Sequence, residues 1–334
     1  MALATPYLMF IGDAPDQLAA KVAIGVVHWR PQWCKGQLRL AGCKADLGIP
    51  DMTIEDAVEA GCRTLVVGVA NRGGVIPDHW TGAIVQAIEA GMDVAAGLHR
   101  RLSDVPAIAQ AAKAHGRTLT DARHPSRDFD VAGGQPRPGR RLLTVGTDVS
   151  VGKMFTSLAI EREMQARGMN ADFRATGQTG IFIAGDGASV DAVVADFIAG
   201  AAEWLTPANA PDHWDVVEGQ GSLFHASYSG VTLGLIHGAR PHALVLCHDA
   251  ARTEMRGTPG VPVPSLEDCI AVNERMARMF EPDARVVGVS VNTSSMDDAR
   301  AAAYLSEVSQ RLNVPAVDAV RTGVGPIVDA IGKP

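Results

Sequence analysis

Short apolar runs alternate with amphipathic segments in the first part of the chain. Thr53 with Asp56 has the spacing of a helix capping box, and Gly61 marks a helix end. The pattern predicts helices over 53–60, 80–90 and 105–115, and strands over 63–69 and 93–96. Strands that alternate with helices are typical of a parallel sheet covered by helices on both faces. We find no Gly-x-Gly-x-x-Gly after a strand in this part, so the dinucleotide fingerprint is absent.

The same alternation continues in the second part of the chain. It predicts strands over 141–145, 170–175, 214–217, 243–247, 286–291 and 314–317, and helices over 154–164, 190–203 and 296–312. The stretch 176–180 consists of small polar residues and is predicted to be a loop. Between the two parts, Gly133 to Arg140 is rich in glycine and proline, which disfavour helix and strand alike. We therefore expect two domains, 1–137 and 138–334.

The segment from Gly146 to Lys153 has the character of a phosphate-binding loop. It follows a predicted buried strand and leads into a predicted helix, so backbone N–H groups and the helix dipole would together favour an anion. The lysine would add a positive charge. The residues predicted to bind phosphate are Gly146, Thr147, Asp148, Ser150, Val151, Gly152 and Lys153. The fold class predicted is therefore α/β, a Rossmann-like parallel sheet followed by a P-loop NTPase-like domain.

Met154 distinguishes this loop from the common P-loop. It stands where a serine or threonine normally offers its hydroxyl to Mg²⁺, and the glycine spacing is one residue longer than usual. We therefore expect phosphate binding with an impaired metal site, and we assign no metal ligands.

The composition of the chain excludes several classes of protein. The net charge of −7 argues against a dedicated nucleic-acid binder. Five cysteines without a C-x-x-C pair fit reduced thiols. No apolar run approaches the length of a membrane span, and no signal peptide is recognisable, so a cytoplasmic protein that does not bind membranes is expected.

Polar residues that follow the predicted strands of the second domain are the candidates for chemistry. In an open parallel sheet the carboxyl ends of the strands face one crevice. We predict Glu218 and His248 as catalytic residues. Arg174, Gln178 and Arg252 are predicted to bind substrate, with surface salt bridges as the alternative for the arginines. Glu218 could instead cap its loop or hold Mg²⁺ through water, and His248 could simply be part of the loop structure.

The motifs together resemble a known family. Gly146 to Lys153 is similar to the phosphate loop of dethiobiotin synthetases, extra residue included, and Val217 to Gly221 is similar to their acidic loop. The whole chain more closely resembles the DgcN-type D-glutamate N-acetyltransferases, which also have Met after the lysine. The further matching stretches are 65–68, 73–74, 161–168, 174–180, 191–203, 218–222 and 248–257.

This resemblance implies transfer of an acetyl group from acetyl-CoA to the amino group of D-glutamate, as a step in D-amino acid catabolism. It also implies small-molecule substrates and a homo-oligomer, with a dimer favoured. Two alternatives remain open on the residues alone. One is an ATP-dependent ligase of the dethiobiotin synthetase type that uses Mg-ATP. The other is a regulator that binds a nucleotide without hydrolysing it.

Overall fold

The computed structural model describes residues 3–71, 73–125 and 127–332. The chain divides into two compact units. The first comprises 1–128 together with 177–192, and the second comprises 129–176 with 193–334. The sequence-based boundary at 137/138 stays a prediction. In the structure the Gly133 N–H donates to Glu203 Oε2 at 2.8 Å, so the glycine-rich segment is held by the second unit.

The first unit contains a parallel sheet with the strand order β2-β1-β3-β4-β5. Its strands are β1 (Tyr7–Gly12), β2 (Cys34–Arg39), β3 (Thr64–Val67), β4 (Asp93–Ala96) and β5 (Leu119–Asp121). Its helices are α1 (Lys21–Trp29), α2 (Ile54–Glu59), α3 (Asp78–Glu89), α4 (Pro106–His115) and α6 (Gln178–Ala184). The capping box on α2 is present, because the Thr53 side chain accepts from the Asp56 N–H and the Asp56 carboxylate accepts from the Thr53 N–H.

The crevice where the order of this sheet reverses, between β1 and β3, is closely packed. The Ala23 N–H in α1 donates to the Gly68 carbonyl at 3.1 Å, and a Cβ on Gly68 would lie 2.4 Å from the Ala23 Cβ. Glycine is therefore required at 68 for helix and strand to approach. An N–H group in the first turn of α1 therefore binds the protein's own backbone, at the place where a dinucleotide-binding fold would bind pyrophosphate. This agrees with the missing dinucleotide fingerprint.

The second unit contains a six-stranded parallel sheet with the order β11-β10-β9-β6-β8-β7. Its strands are β6 (Arg140–Gly146), β7 (Ala171–Arg174), β8 (Trp214–Val217), β9 (Ala243–Asp249), β10 (Arg285–Asn292) and β11 (Ala316–Val317). Its helices are α5 (Lys153–Ala166), α7 (Ile198–Leu205), α8 (Ser229–Ala239), α9 (Leu266–Ala277), α10 (Asp298–Leu312) and α11 (Gly325–Ile331).

Strand β6 lies in the middle of the sheet and contributes to the hydrophobic core of the second unit. Leu142, Val216 and Val245 from three adjacent strands pack with Ile160 of α5 and Ile327 of α11, and all five are buried. Strands buried on both faces explain the near-continuous apolar runs in the sequence. The predicted fold class, two parallel-sheet α/β domains, is confirmed.

Two predicted elements differ from the structure. The predicted loop 176–180 contains the start of α6. The backbone is extended at Gly177 and helical from Gln178, and the burial of Ile181 to Ile183 stabilises the helix. The predicted helix over 190–203 begins as α-helix only at Ile198. Two short 3₁₀ turns precede it, separated by the extended Val194.

The length and apolar character of the described helices bear on membrane insertion. None of those within 3–71, 73–125 and 127–332 is long and apolar enough to cross a membrane.

Candidate active site

The phosphate-binding loop lies between β6 and α5, as its sequence predicts. Ser150 and Gly152 have positive φ angles of 54° and 97°, which turn the backbone into a concave nest. No side chain caps the N-terminus of α5, and its first turn contains no acidic residue. The positive end of the helix dipole is therefore left for an anion.

Lys153 is enclosed by this loop. The residue is only 7% exposed, and its Nζ donates to the Asp148 carbonyl at 2.9 Å. Burial lowers the pKa of its ammonium group to about 8, and the neighbouring Cys247, Asp148 and Glu218 only partly oppose this shift. A buried ammonium group without a full counter-charge favours the arrival of an anion.

Asp148 and Arg252 brace the loop from the other side. The Asp148 carboxylate is fully buried and accepts from Arg252 Nη1 at 2.9 Å and from the Arg256 N–H at 2.8 Å. Arg252 Nη1 also donates to the Val149 carbonyl. Burial works to raise the pKa of Asp148, but the N–H groups of Arg256 and Val149 and the Arg252 guanidinium bring it below its ordinary value. Both charged side chains are thus engaged in holding the backbone of the nest.

Glu218 directly follows β8 and is buried beside the loop. One of its carboxylate oxygens, Oε2, accepts from the Thr176 N–H at 2.9 Å, and its own carbonyl accepts from the Thr176 hydroxyl at 2.7 Å. The next residue, Gly219, approaches β6 so closely that a Cβ would lie 1.6 Å from the Thr144 carbonyl oxygen. The glycine therefore brings Glu218 within electrostatic reach of Lys153.

His248 lies within β9, one residue before its end, rather than in the loop after it. Its Nδ1 is 3.1 Å from the Thr147 hydroxyl, so the predicted phosphate loop and the predicted catalytic histidine are in contact. Burial lowers the pKa of His248, and Arg252 adds to this effect while Asp249 opposes it. At neutral pH the imidazole is therefore uncharged and can accept a proton.

A cavity of about 400 Å³ adjoins the loop within the second unit. It is bordered by Ser150 to Gly152 and by Phe155 on one side, and by the ends of β10 and β11 on the other. Asn292 Oδ1 accepts from the Ser294 N–H at 3.1 Å, and Asp318 accepts from the Thr293 hydroxyl at 2.6 Å, so this wall is ordered by its own hydrogen bonds. Asp318 and Arg321 at this wall were not singled out from the sequence, because they follow a strand of only two residues.

Arg174 and Gln178 have other partners. The Nε of Arg174 donates to Asp215 Oδ1 at 2.7 Å, and Asp215 is buried within β8, two residues before that strand ends. Gln178 belongs to the first unit, where its amide lies between the Gly97 carbonyl and the Arg123 guanidinium. Roles of Arg174, Gln178 and Arg252 in substrate binding stay predictions.

In the part of the chain that the structure describes, no group of three or more His, Cys, Asp or Glu side chains is arranged to hold a metal ion. Met154 is half-buried at the second position of α5, where its thioether offers no hard oxygen ligand.

Comparison with known proteins shows the family. Residues 130–328 match the family model described as "Domain of unknown function (DUF1611_C) P-loop domain", and residues 38–125 match "Domain of unknown function (DUF1611_N) Rossmann-like domain". The crystal structure of a DUF1611 family protein from Anabaena variabilis superposes with a TM-score of 0.85 at 32% identity. The superposition covers 98% of this chain and 99% of the Anabaena variabilis protein. This chain belongs to the DUF1611 family.

Two curated relatives match over nearly their full length. A protein from Tritonibacter scottomollicae is 57% identical over 327 residues, 98% of each chain. One from a Pseudoalteromonas species is 46% identical over 328 residues, 98% of this chain and 99% of that one. Both are named D-glutamate N-acetyltransferase. The resemblance inferred from the motifs is thereby confirmed.

Proposed function

We propose that this chain is a D-glutamate N-acetyltransferase that takes its acetyl group from acetyl-CoA. The observation that carries the proposal is the similarity, over 98% of the chain, to two proteins of that name. The geometry of the second unit supports it independently, since it combines an anion-binding nest with a buried imidazole whose pKa is lowered. D-Glutamate, as the substrate, would be acetylated as a step in D-amino acid catabolism.

The reaction forms an amide and breaks a thioester. The amino nitrogen of D-glutamate attacks the acetyl carbonyl carbon and the C–S bond breaks. The CoA sulfur leaves and takes up the proton that the nitrogen loses on forming the amide, which gives the free thiol. The ammonium form of the substrate must first lose a proton, because only the free amine has a lone pair. We assign this proton to His248, whose lowered pKa keeps it neutral. Glu218, also predicted to be catalytic, would partly offset the charge of Lys153.

The donor fits the phosphate loop and the cavity beside it. Acetyl-CoA contains a diphosphate, which the nest and Lys153 can bind without a metal ion. Its adenosine is of a size for the adjoining cavity of about 400 Å³, with the Phe155 ring and the Asn292 amide in its wall. Met154 is compatible with this use of the loop, since binding a diphosphate needs no hydroxyl ligand for Mg²⁺.

The state of the cysteines bears on the cellular setting. The described cysteines are free thiols, as in a reducing compartment, so we propose a cytoplasmic enzyme. We also propose a homodimer, in line with the family resemblance. Light scattering after size-exclusion chromatography measures the mass, and a mass near 35 kDa would contradict the dimer.

The deciding experiment measures product and both possible by-products in one assay. Purified protein is supplied with acetyl-CoA and D-glutamate in EDTA without ATP, and thiol release is followed together with N-acetylglutamate. We expect thiol and product in equal amounts, with L-glutamate a poorer substrate. A parallel reaction contains Mg-ATP and is assayed for ADP and phosphate.

The outcomes separate the three functions considered. Product that requires Mg-ATP and appears in proportion to ADP would replace the proposal with the ligase. Tight nucleotide binding without product from any donor would replace it with the regulator. The Lys153→Ala variant is the matched control, since acetyl-CoA-dependent thiol release should fall in it while the fold is retained.

A further inference from the structure

A second cavity lies at the opposite edge of the same six-stranded sheet. It has a volume of about 490 Å³ and is bordered by the first residues of four strands. These are Arg140 of β6, Trp214 of β8, Ala243 of β9 and Arg285 of β10. The phosphate loop is at the carboxyl end of β6, and a strand of seven residues spans about 20 Å. The cavity is therefore distinct from the proposed active site.

Positive charge dominates the surroundings of this cavity. Arg137, Arg140 and Arg285 line it, while the buried Arg141 and Arg240 contact its lining residues Gly139 and Glu281. The lining carboxylates are Glu281 and Asp283, and Glu203 and Asp215 also act on Arg137, so the arginines outnumber the carboxylates around the cavity. We call these five arginines, together with His242, the basic cavity. It is an unusual feature in a protein of net charge −7.

The carboxylate of Glu281 lies near three cationic groups but forms a hydrogen-bonded ion pair with none of them. Its carboxylate lies 3.9 Å from Arg141 Nη2, 3.6 Å from Arg240 Nη2 and 3.9 Å from His242 Nε2. These separations are too long for hydrogen bonds. The guanidinium groups are instead held mainly by backbone carbonyls, as when Arg141 Nη1 donates to the Gly139 carbonyl at 3.0 Å. Carbonyls fix the positions of the arginines without neutralising them.

Two guanidinium nitrogens in the basic cavity lack partners. Arg137 Nη1 and Arg240 Nε are buried and make no hydrogen bond to any residue that the structure describes. Buried donors without a partner are rare, and a bound water or ion is one of the arrangements that satisfies them. The electrostatics agree, because burial and then the surrounding arginines lower the pKa of His242 to about 4.

We propose that the basic cavity is a binding site for a small, multiply charged oxyanion, separate from the acetyl-transfer site. The planar fork of a guanidinium group matches carboxylate and phosphate oxygens alike, so the shared chemistry is that of these two groups. The volume admits an organic anion of the size of citrate as well as inorganic phosphate. Arg140 and Arg285 line the cavity at the strand ends, so they are the side chains to test as contacts of the anion.

The test weakens the phosphate loop as a competing site. Isothermal titration calorimetry on the Lys153→Ala variant measures binding of inorganic phosphate and, separately, of citrate, at constant ionic strength set with KCl. We expect saturable binding of at least one of them, with a stoichiometry of one per chain. Binding of phosphate only, or of citrate only, identifies the source of the oxyanion. No saturable heat with either anion would overturn the proposal.

Arginine variants then locate the bound anion. In the same background, Arg140→Gln and Arg285→Gln should each weaken binding by about 10-fold, because each removes a charge-assisted hydrogen bond. Arg300→Gln is the matched control, an exposed arginine on α10 away from the cavity, and should leave the affinity unchanged. Circular dichroism establishes that each variant is folded at the titration temperature. Equal affinities in all three variants would place the anion elsewhere and refute the assignment.

Discussion

At the scale of single residues, Lys153 links the phosphate loop to pH. Its pKa of about 8 means that the ammonium charge is present below that pH and is lost above it. We therefore expect the affinity for acetyl-CoA to fall as the pH rises through about 8. Lys153→Met should bind acetyl-CoA about 10- to 100-fold more weakly at pH 7 and show no such fall, as titration calorimetry can measure.

The lowered pKa of Lys153 also predicts how stability depends on pH, which tests the burial of its charge independently of ligand binding. The pKa of Lys153 in the folded state is below its unfolded value of about 10.5, so the buried charge opposes folding below pH 8. This penalty disappears as the pH rises from about 8 to 10.5. The free energy of unfolding of the wild type should therefore rise relative to that of Lys153→Met over this interval. A constant difference between the two proteins would show that Lys153 is not buried as a cation.

His248 is expected to set the acidic limb of the rate profile. Because burial lowers its pKa, kcat/KM should rise with pH through a midpoint below 6.5. His248→Gln should lower kcat by about 10²- to 10⁴-fold and remove that limb. Glu218→Gln should lower turnover but keep the limb, if Glu218 acts through Lys153. If His248→Gln retains the limb, Glu218 becomes the proton acceptor.

Arg252 and Arg174 can be separated by their effects on the two Michaelis constants. The contacts of Arg252 with Asp148 and the Val149 carbonyl lead us to expect that Arg252→Met raises the KM for acetyl-CoA, by about 10-fold. Arg174→Met serves as the comparison, since its guanidinium pairs with Asp215 instead. A rise in the KM for D-glutamate alone would support the substrate-binding role that the sequence suggested for Arg252.

At the scale of elements, periodicity located most of the structure around the phosphate loop. The bounds of strand β6 and helix α5 agree with the predicted bounds to within two residues. The apolar run, the glycine loop and the helical spacing of apolar residues can all be recognised from neighbouring residues alone. The predicted loop 176–180 overlaps only the start of helix α6, whose first residues are polar, and the helix shows itself in the buried Ile181 to Ile183 that follow. The partners of Arg174 and Arg252 could not be predicted, because they depend on register and on contacts as much as 104 residues apart.

Close approach between elements gives a sharp test at Gly219. A methyl group there would meet the Thr144 carbonyl oxygen, which is backbone and cannot rotate away. Gly219→Ala should therefore displace β8 from β6, lower the melting temperature by several degrees and reduce activity. Gly152→Ala is the control, because no atom lies within 4 Å and only its positive φ is strained. A melting temperature lower in Gly152→Ala than in Gly219→Ala would contradict this account.

At the scale of the whole molecule, both proposed sites of the second unit follow from one sheet. The order β11-β10-β9-β6-β8-β7 puts the phosphate loop and His248 at the carboxyl edge of the two central strands, where open α/β sheets bind ligands. The same strands begin at the basic cavity. Alternating elements in the sequence predict a parallel sheet whose carboxyl ends share one crevice, but they do not predict its strand order. The contact between Thr147 and His248 and the grouping of arginines at the basic cavity therefore required the structure.

The division of the chain predicts how fragments behave. Residues 177–192 belong to the first unit although they lie within the sequence of the second, and Ile181, Phe182 and Ile183 in α6 are buried. A fragment of residues 138–334 keeps this segment but lacks α1, on which α6 packs, so it would expose these side chains. We expect that fragment to aggregate or to unfold without cooperativity. A fragment of 129–334 with 177–192 replaced by a glycine-serine linker should be more soluble and melt cooperatively by circular dichroism. Cooperative unfolding of both fragments at the same temperature would instead support the single boundary at 137/138.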